Sequence, residues 1–271
     1  MDIFVNWEGH ISGLVDDIHL TQVADTCWSY GLTRQMNATF RLALLLGRTE
    51  SLSVWHFICS MRRMGALTGS MAIQGLITAV PFLTAYGLIL ETDYYHRCDR
   101  MSGLPLPSAP RFPRFVVSEM KIHRIHEYQS NNEFETAFFA ALNYSPVAAV
   151  IPCYPSLNAF RSSPHNGIYS PPVRELLHFP AFTHLVLATA RGRFEGIPFV
   201  QFRDSASGAF LNVRMGWGLI IQFVEFSGPR LVWSRSGVYR DRDGGIRRLL
   251  AGIVKVTLGE DRREVRSGSC F

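Results

Sequence analysis

Asp25-Thr26-Cys27-Trp28 is the stretch on which the reading of this chain turns. Asp25 is a good helix cap, because its short carboxylate accepts from the open N–H groups of a first turn. From Trp28 the apolar residues Leu32, Met36, Phe40 and Leu44 recur every four positions, the spacing of one helix face, and Gly47 follows as a stop. A helix beginning at Cys27 carries a thiol in its first turn. The positive end of the helix dipole stabilises an anion there, so the thiol ionises more readily. The thiolate is the nucleophile; the thiol is a poor one. The plainer alternative is a small buried cysteine packed as a hydrophobe, the usual fate of a lone Cys.

The 271 residues suffice for one large domain or two small ones. With 47% apolar and 18% charged residues, the composition is that of a globular protein. The net charge of +5 comes from one end: residues 1–228 hold 17 basic and 17 acidic residues, residues 229–271 hold 10 and 5. Only two or three arginines cluster at any point of that tail. It reads as a solvated segment, and no nucleic-acid partner is expected. The start Met1-Asp2-Ile3 lacks the basic and apolar regions of a secretory signal. Residues 64–90 carry no charge over 27 positions, a length that would span a bilayer. Thr68, Ser70, Gln74, Thr78, Pro81 and Thr84 lie within it, so a core helix with a loop is the better reading and membrane anchoring the lesser one. The five cysteines, Cys27, Cys59, Cys98, Cys153 and Cys270, are too few for a disulfide scaffold, and their odd number leaves at least one thiol. There is no C-x-x-C, no H-E-x-x-H and no Gly-rich loop between strand and helix, so neither metal nor cofactor is expected.

Residues 1–24 read as an irregular lead-in. After the helix at Cys27, short helices are predicted over 54–63 and about 70–82. Prolines 105, 107, 110 and 113 make residues 101–114 extended, a crossing between lobes. Beyond it β-branched and aromatic content predicts strands at 115–117, 146–151, 184–190, 198–203 and 219–226, with a helix at 132–142. A helical first half and a strand-rich second half make an α+β protein of two lobes. The expected division is 1–110, carrying Cys27; 111–228, carrying His184 and Asp204; and a basic tail, 229–271, that the pattern does not place.

Several short matches occur in one order along the chain. They are Val5-Asn6-Trp7, Thr26-Cys27-Trp28, Leu52-Ser53 with Cys59, and Gly87-Leu88 through Glu91-Thr92-Asp93-Tyr94-Tyr95. Ser145-Pro146-Val147-Ala148, Gly167-Ile168-Tyr169, His184-Leu185-Val186, Phe202-Arg203-Asp204-Ser205 and Gly216-Trp217-Gly218 continue them. Together, over residues 5–218, they resemble the papain family of cysteine peptidases. The resemblance implies a two-lobed fold, a helical left lobe packed on a β-barrel-like right lobe, with the active-site cleft between. It implies peptide-bond hydrolysis in which Cys27 attacks the carbonyl and His184 forms the ion pair and protonates the leaving amine. The plainer alternative for His184 is a strand histidine on a polar face. His178 and His165 read as surface residues. Peptide or protein substrates and cystatin-like inhibitors are the implied partners. The lysosome, vacuole or extracellular space is the implied compartment.

The chain departs from the family pattern at several points. The family orients the imidazole with Asn; the aligned residue is Asp204, which accepts the same hydrogen bond but adds a charge that favours imidazolium. The shielding Trp that follows is Ala206, so a wetter His–Asp contact is expected. The oxyanion-hole Gln, six residues before the Cys, would be Thr21. Gln22 is one place off, and an alignment on Val15-Asp16-Asp17-Ile18 would put Ile18 there instead. For Gln22 a solvent-facing loop residue is an equal alternative. The glycine pair that binds the substrate backbone reads Thr68-Gly69-Ser70. One family disulfide is absent at both ends, Ala24 and Ala66; the other is implied between Cys59 and Cys98. No pro-region precedes the matches, which implies a truncated chain or one made without a zymogen stage. These departures carry a second reading, a catalytically impaired relative that acts by binding.

Overall fold

Helix α2, Cys27–Leu42, is buried on nearly every side, and the rest of the molecule is arranged around it. The structure is a computed structural model, and it describes residues 1–10, 13–15, 21–97, 112–162 and 167–233. Trp28, Leu32, Met36 and Phe40 face the first core, as their spacing predicts. On its other side Gln35 donates to the Val224 carbonyl at 2.7 Å and accepts from the Ala148 N–H at 3.0 Å. A buried amide with both ends satisfied fixes the helix against the sheet. The cap position is Thr26 rather than Asp25, and the Thr26 side chain makes no capping hydrogen bond. Asp25 stands one residue too far back; its N–H donates to the Ser70 carbonyl. The helix also ends before Gly47. Leu44 takes a left-handed conformation at φ 57° and turns out to solvent, so the apolar stripe closes at Phe40.

Helix α3, Val54–Arg63, starts at Ser53, whose hydroxyl accepts from the His56 N–H. The helix expected over 70–82 forms only in its second half, as a 3₁₀ turn Leu76–Ala79 running into α4, Val80–Ala85. Residues 67–73 are a loop instead. The Thr68 hydroxyl accepts from the Ala72 N–H, a local bond that competes with helix formation. Leu76, Ala79, Phe82 and Leu83 from the uncharged stretch belong to the first core. Among the described residues no helix is long and apolar enough to cross a membrane. Helix α5, Glu91–Arg97, completes the helical side.

The strands follow: β2, Pro113–Val116; β3, Glu119–Arg124; then helix α6, Asn131–Tyr144; and β4, Val147–Cys153. Short helices α7, Pro155–Arg161, and α8, Val173–Leu176, lead to β5, Phe182–Phe194, and β6, Ile197–Asp204. The last strands are β7, Ala209–Arg214; β8, Gln222–Ser227; and β9, Arg230–Trp233. The main sheet is antiparallel, in the order β3-β8-β4-β5-β6-β7, while β2 and β9 pair separately. The first residues are not irregular. Residues Asp2–Asn6 form β1, which pairs with β5 through Asp2↔Arg193 to Asn6↔Ala190, and α1, Trp7–His10, follows. Trp7 donates its indole N–H to the Leu142 carbonyl at 2.7 Å. A five-residue run whose partner strand lies far along the chain has no local signature.

All seven residues of β4 are buried. Val147, Ala149, Ile151 and Cys153 face one core, built with α6, while Ala148 and Val150 face the other, built with α2. Alternation with period two on a strand covered on both faces makes β4 the wall between two cores. The architecture is therefore α+β and two-lobed.

Candidate active site

Cys27 is the first residue of α2, in the turn where the dipole favours an anion, and it is buried. One turn on, Gly31 lies directly on β5: a Cβ at that position would stand 2.8 Å from Leu185 Cδ2. Only a glycine lets the helix backbone come this close, and Leu185 is the neighbour of His184. The turn of α2 that follows Cys27 is thus seated on the start of β5.

His184 is fully buried, with Ile151 opposite it on β4. Its Nε2 lies 2.7 Å from Asp204 Oδ1, at the end of β6. With Nε2–H engaged there, proton exchange with a thiol falls to Nδ1. The carboxylate is held by four donors. Oδ1 accepts from His184 and from the Ala206 N–H at 2.9 Å; Oδ2 accepts from Arg161 Nε at 2.7 Å and the Ser207 hydroxyl at 3.0 Å. Burial pushes the Asp204 pKa up, but the hydrogen bond and charge of His184, the Arg161 charge and the Ala206 N–H outweigh it. The carboxyl is held well below the ordinary range.

The wetter contact expected from Ala206 is not found: the side chains of His184 and Asp204 both have 0% exposure. Arg161 and Ser207 close over Oδ2, and the loop after β6 folds back on its own carboxylate, so no bulky shield is needed. No motif in the sequence marks either residue. A buried Asp in place of Asn calls for a counter-charge, but nothing in the Phe160-Arg161-Ser162 stretch marks which cation supplies it.

Gln22 is fastened to the loop after Asp204: its N–H donates to the Ser205 carbonyl and its Oε1 accepts from the Ser205 hydroxyl, each at 2.8 Å. Its amide Nε2 donates to the Ala24 carbonyl at 3.1 Å. Residues 16–18, the alternative alignment for this role, lie outside the described residues. The 68–71 loop is tied to the helix start, since the Asp25 N–H donates to the Ser70 carbonyl and the Trp28 indole to the Met71 carbonyl. Gly69 is exposed and a Cβ there would meet nothing within 4 Å. The Thr68 hydroxyl turns inward to Ser70 and Ala72. Cys59 is buried with its sulfur 3.5 Å from the Tyr94 hydroxyl; its implied partner Cys98 lies outside the described residues, as does His165. Among the described residues no group of three His, Cys, Asp or Glu side chains could hold a metal ion.

No family model and no curated protein sequence matches this chain. Solved structures do. A mite allergen from a comparison of Blo t 1 and Der p 1 has a TM-score of 0.59 at 16% identity, covering 84% of this chain and 71% of its own. A Carica candamarcensis cysteine protease, CMS1MS2, solved with E-64, has a TM-score of 0.58 at 17% identity, covering 83% and 98%. Procathepsin L 3 of the Tenebrio molitor larval midgut has a TM-score of 0.57 at 17% identity, covering 83% and 69%. The chain has the fold of the papain-like cysteine proteases.

Proposed function

We propose that this chain is a papain-type cysteine peptidase, hydrolysing peptide bonds with Cys27 as nucleophile, His184 as base and acid, and Asp204 orienting the imidazole. The observation that carries this reading is the buried His184–Asp204 pair on the strand against which the Cys27 helix is seated. The Cys27 thiolate attacks the scissile carbonyl carbon, and the imidazolium gives its proton to the leaving amine. Water, deprotonated by His184, then cleaves the thioester and restores the thiol. The open loop at Gly69, tied to the start of α2, is suited to an extended peptide backbone. The substrate is a peptide or protein, and an inhibitor of cystatin type would compete for the same groove.

A peptidyl epoxide that alkylates an activated thiolate tests the reading. Wild type is expected to be labelled at Cys27, and Cys27→Ala and His184→Ala to be spared. A folded wild type that resists the epoxide sinks the peptidase reading. It would favour the binding-only relative, which the engagement of the Gln22 amide with Ala24 supports.

A further inference from the structure

We infer that Arg161 is a positioning residue for the Cys27–His184 pair, supplying the counter-charge that lets a carboxylate orient the imidazole where the resemblance calls for an amide. The inference rests on the peptidase reading of this site. Asp204 has a side chain with no exposure, so water cannot balance its charge. Its two oxygens are divided between two basic side chains: Oδ1 to His184 and Oδ2 to Arg161, both at 2.7 Å. Were His184 the only cationic partner, the buried carboxylate would be balanced best by a permanently protonated imidazole. A base locked as imidazolium can protonate a leaving group once but cannot take a proton from water. With Arg161 in place, Asp204 and the guanidinium form a neutral pair. The ring then meets an oriented acceptor, much as it would meet an amide oxygen.

The surroundings leave this role to Arg161. Among the described residues, the charges that lower the Asp204 pKa are those of His184 and Arg161. Arg203, the preceding residue of β6, is engaged in a two-point pair with Glu8. Glu175 on α8 accepts from the Ser156 hydroxyl. From β4 the residue opposite His184 is the apolar Ile151, with the thiol of Cys153 two positions on. Arg161 itself is 11% exposed in its side chain, so its charge is little screened.

The test is an NMR titration of the His184 imidazole in wild type, Arg161→Gln and the double variant Arg161→Gln/Asp204→Asn. Removing the guanidinium alone is expected to raise the imidazole pKa by about one pH unit, roughly a tenfold change in proton affinity. Removing both charges together is expected to bring it back to the wild-type value, because an amide needs no counter-ion. An imidazole that titrates alike in wild type and Arg161→Gln overturns the inference, and so does a double variant that keeps the raised value. If Arg161→Gln does not fold, a folded double variant with the wild-type titration supports the inference, and a double variant that also fails to fold overturns it. Epoxide labelling is read separately. An imidazole that responds to Arg161 in a protein that never alkylates removes the peptidase reading and leaves the charge compensation standing.

Discussion

His56 and His184 are both sealed from water, and they have opposite characters. The His56 ring lies 5.9 Å from the Phe82 ring and 6.5 Å from that of Tyr94, and neither of its nitrogens has a hydrogen-bond partner among the described residues. Burial, reinforced by the charges of Arg114 and Arg63, pushes its pKa well below the ordinary 6.5. It is a neutral ring used as packing material. His184 is equally dry but meets a carboxylate whose own charge is balanced. Burial alone turns a histidine into a polar hydrophobe; a compensated carboxylate gives the ring an oriented hydrogen bond, the arrangement that the proposed base requires. Position in a motif points to the difference, while the partner creates it.

The comparison breaks most visibly in reactivity. His184→Ala is expected to slow epoxide alkylation of Cys27 by about 10³-fold or more, the order lost when a member of such a set is removed. His56→Leu should leave the second-order rate within about twofold, which the same assay reads. Comparable losses in both would mean that the two sites are not distinct in function.

Next comes stability. Asp204→Ala leaves Arg161 and His184 buried without their acceptor, and urea unfolding is expected to show a loss of about 3–5 kcal/mol. A loss below about 1 kcal/mol would mean that the carboxylate network is not what holds this edge of the sheet. Gly31→Ala should cost about 1–3 kcal/mol, because the added methyl must displace Leu185 or lift α2 from β5. It should also slow alkylation at Cys27. A variant as stable and as reactive as wild type would remove the close approach of helix and strand from the account.

The smallest effect separates the histidines by pH. His56 has a depressed pKa in the folded state, so the unfolded chain binds the extra proton first. Its contribution to stability is complete above the ordinary 6.5 and is lost as pH falls from there towards the folded value. The loss is at most about 1.4 kcal/mol per pH unit. His56→Leu should remove that acid sensitivity while changing stability at pH 7 by no more than about 1 kcal/mol. The Asp204 carboxyl is also depressed, but its window lies lower: its stabilisation is present above the ordinary 3.8 and is lost on acidification below it. Unfolding curves that show no difference between His56→Leu and wild type at pH 5 would contradict the description of His56 as unpaired.

What the sequence revealed of this site follows the reach of each interaction. The helix from Cys27 and the strand from His184 are legible because their apolar spacing is local. α3 is likewise set by a local cap, Ser53, and an apolar face. Asp204 is legible only through the resemblance, as the residue standing where an amide is expected. Arg161 and Ser207 were not legible, because they act on Asp204 through space and no spacing rule links them to it. The helix expected from about residue 70 fails over 70–73, because the apolar content there masks what Thr68 does with Ala72. The first strand was missed for a plainer reason: Ile3-Phe4-Val5 becomes β only when β5 is there to pair with it.

That first strand has a consequence for how the molecule is put together. β4 lies along the first half of β5 and β1 along the second, on the same side, with β6 opposite. At Gly192 the two backbones come so near that a Cβ would fall 2.1 Å from the Asp2 carbonyl oxygen. The polypeptide's opening residues are thus stitched into the strand that carries His184, after the chain has built the other lobe. A fragment that started at residue 112 would bare a row of unmet peptide groups along β5, an invitation to intermolecular pairing. The halves are interlaced, and neither can be lifted out of the other by cutting the chain between them.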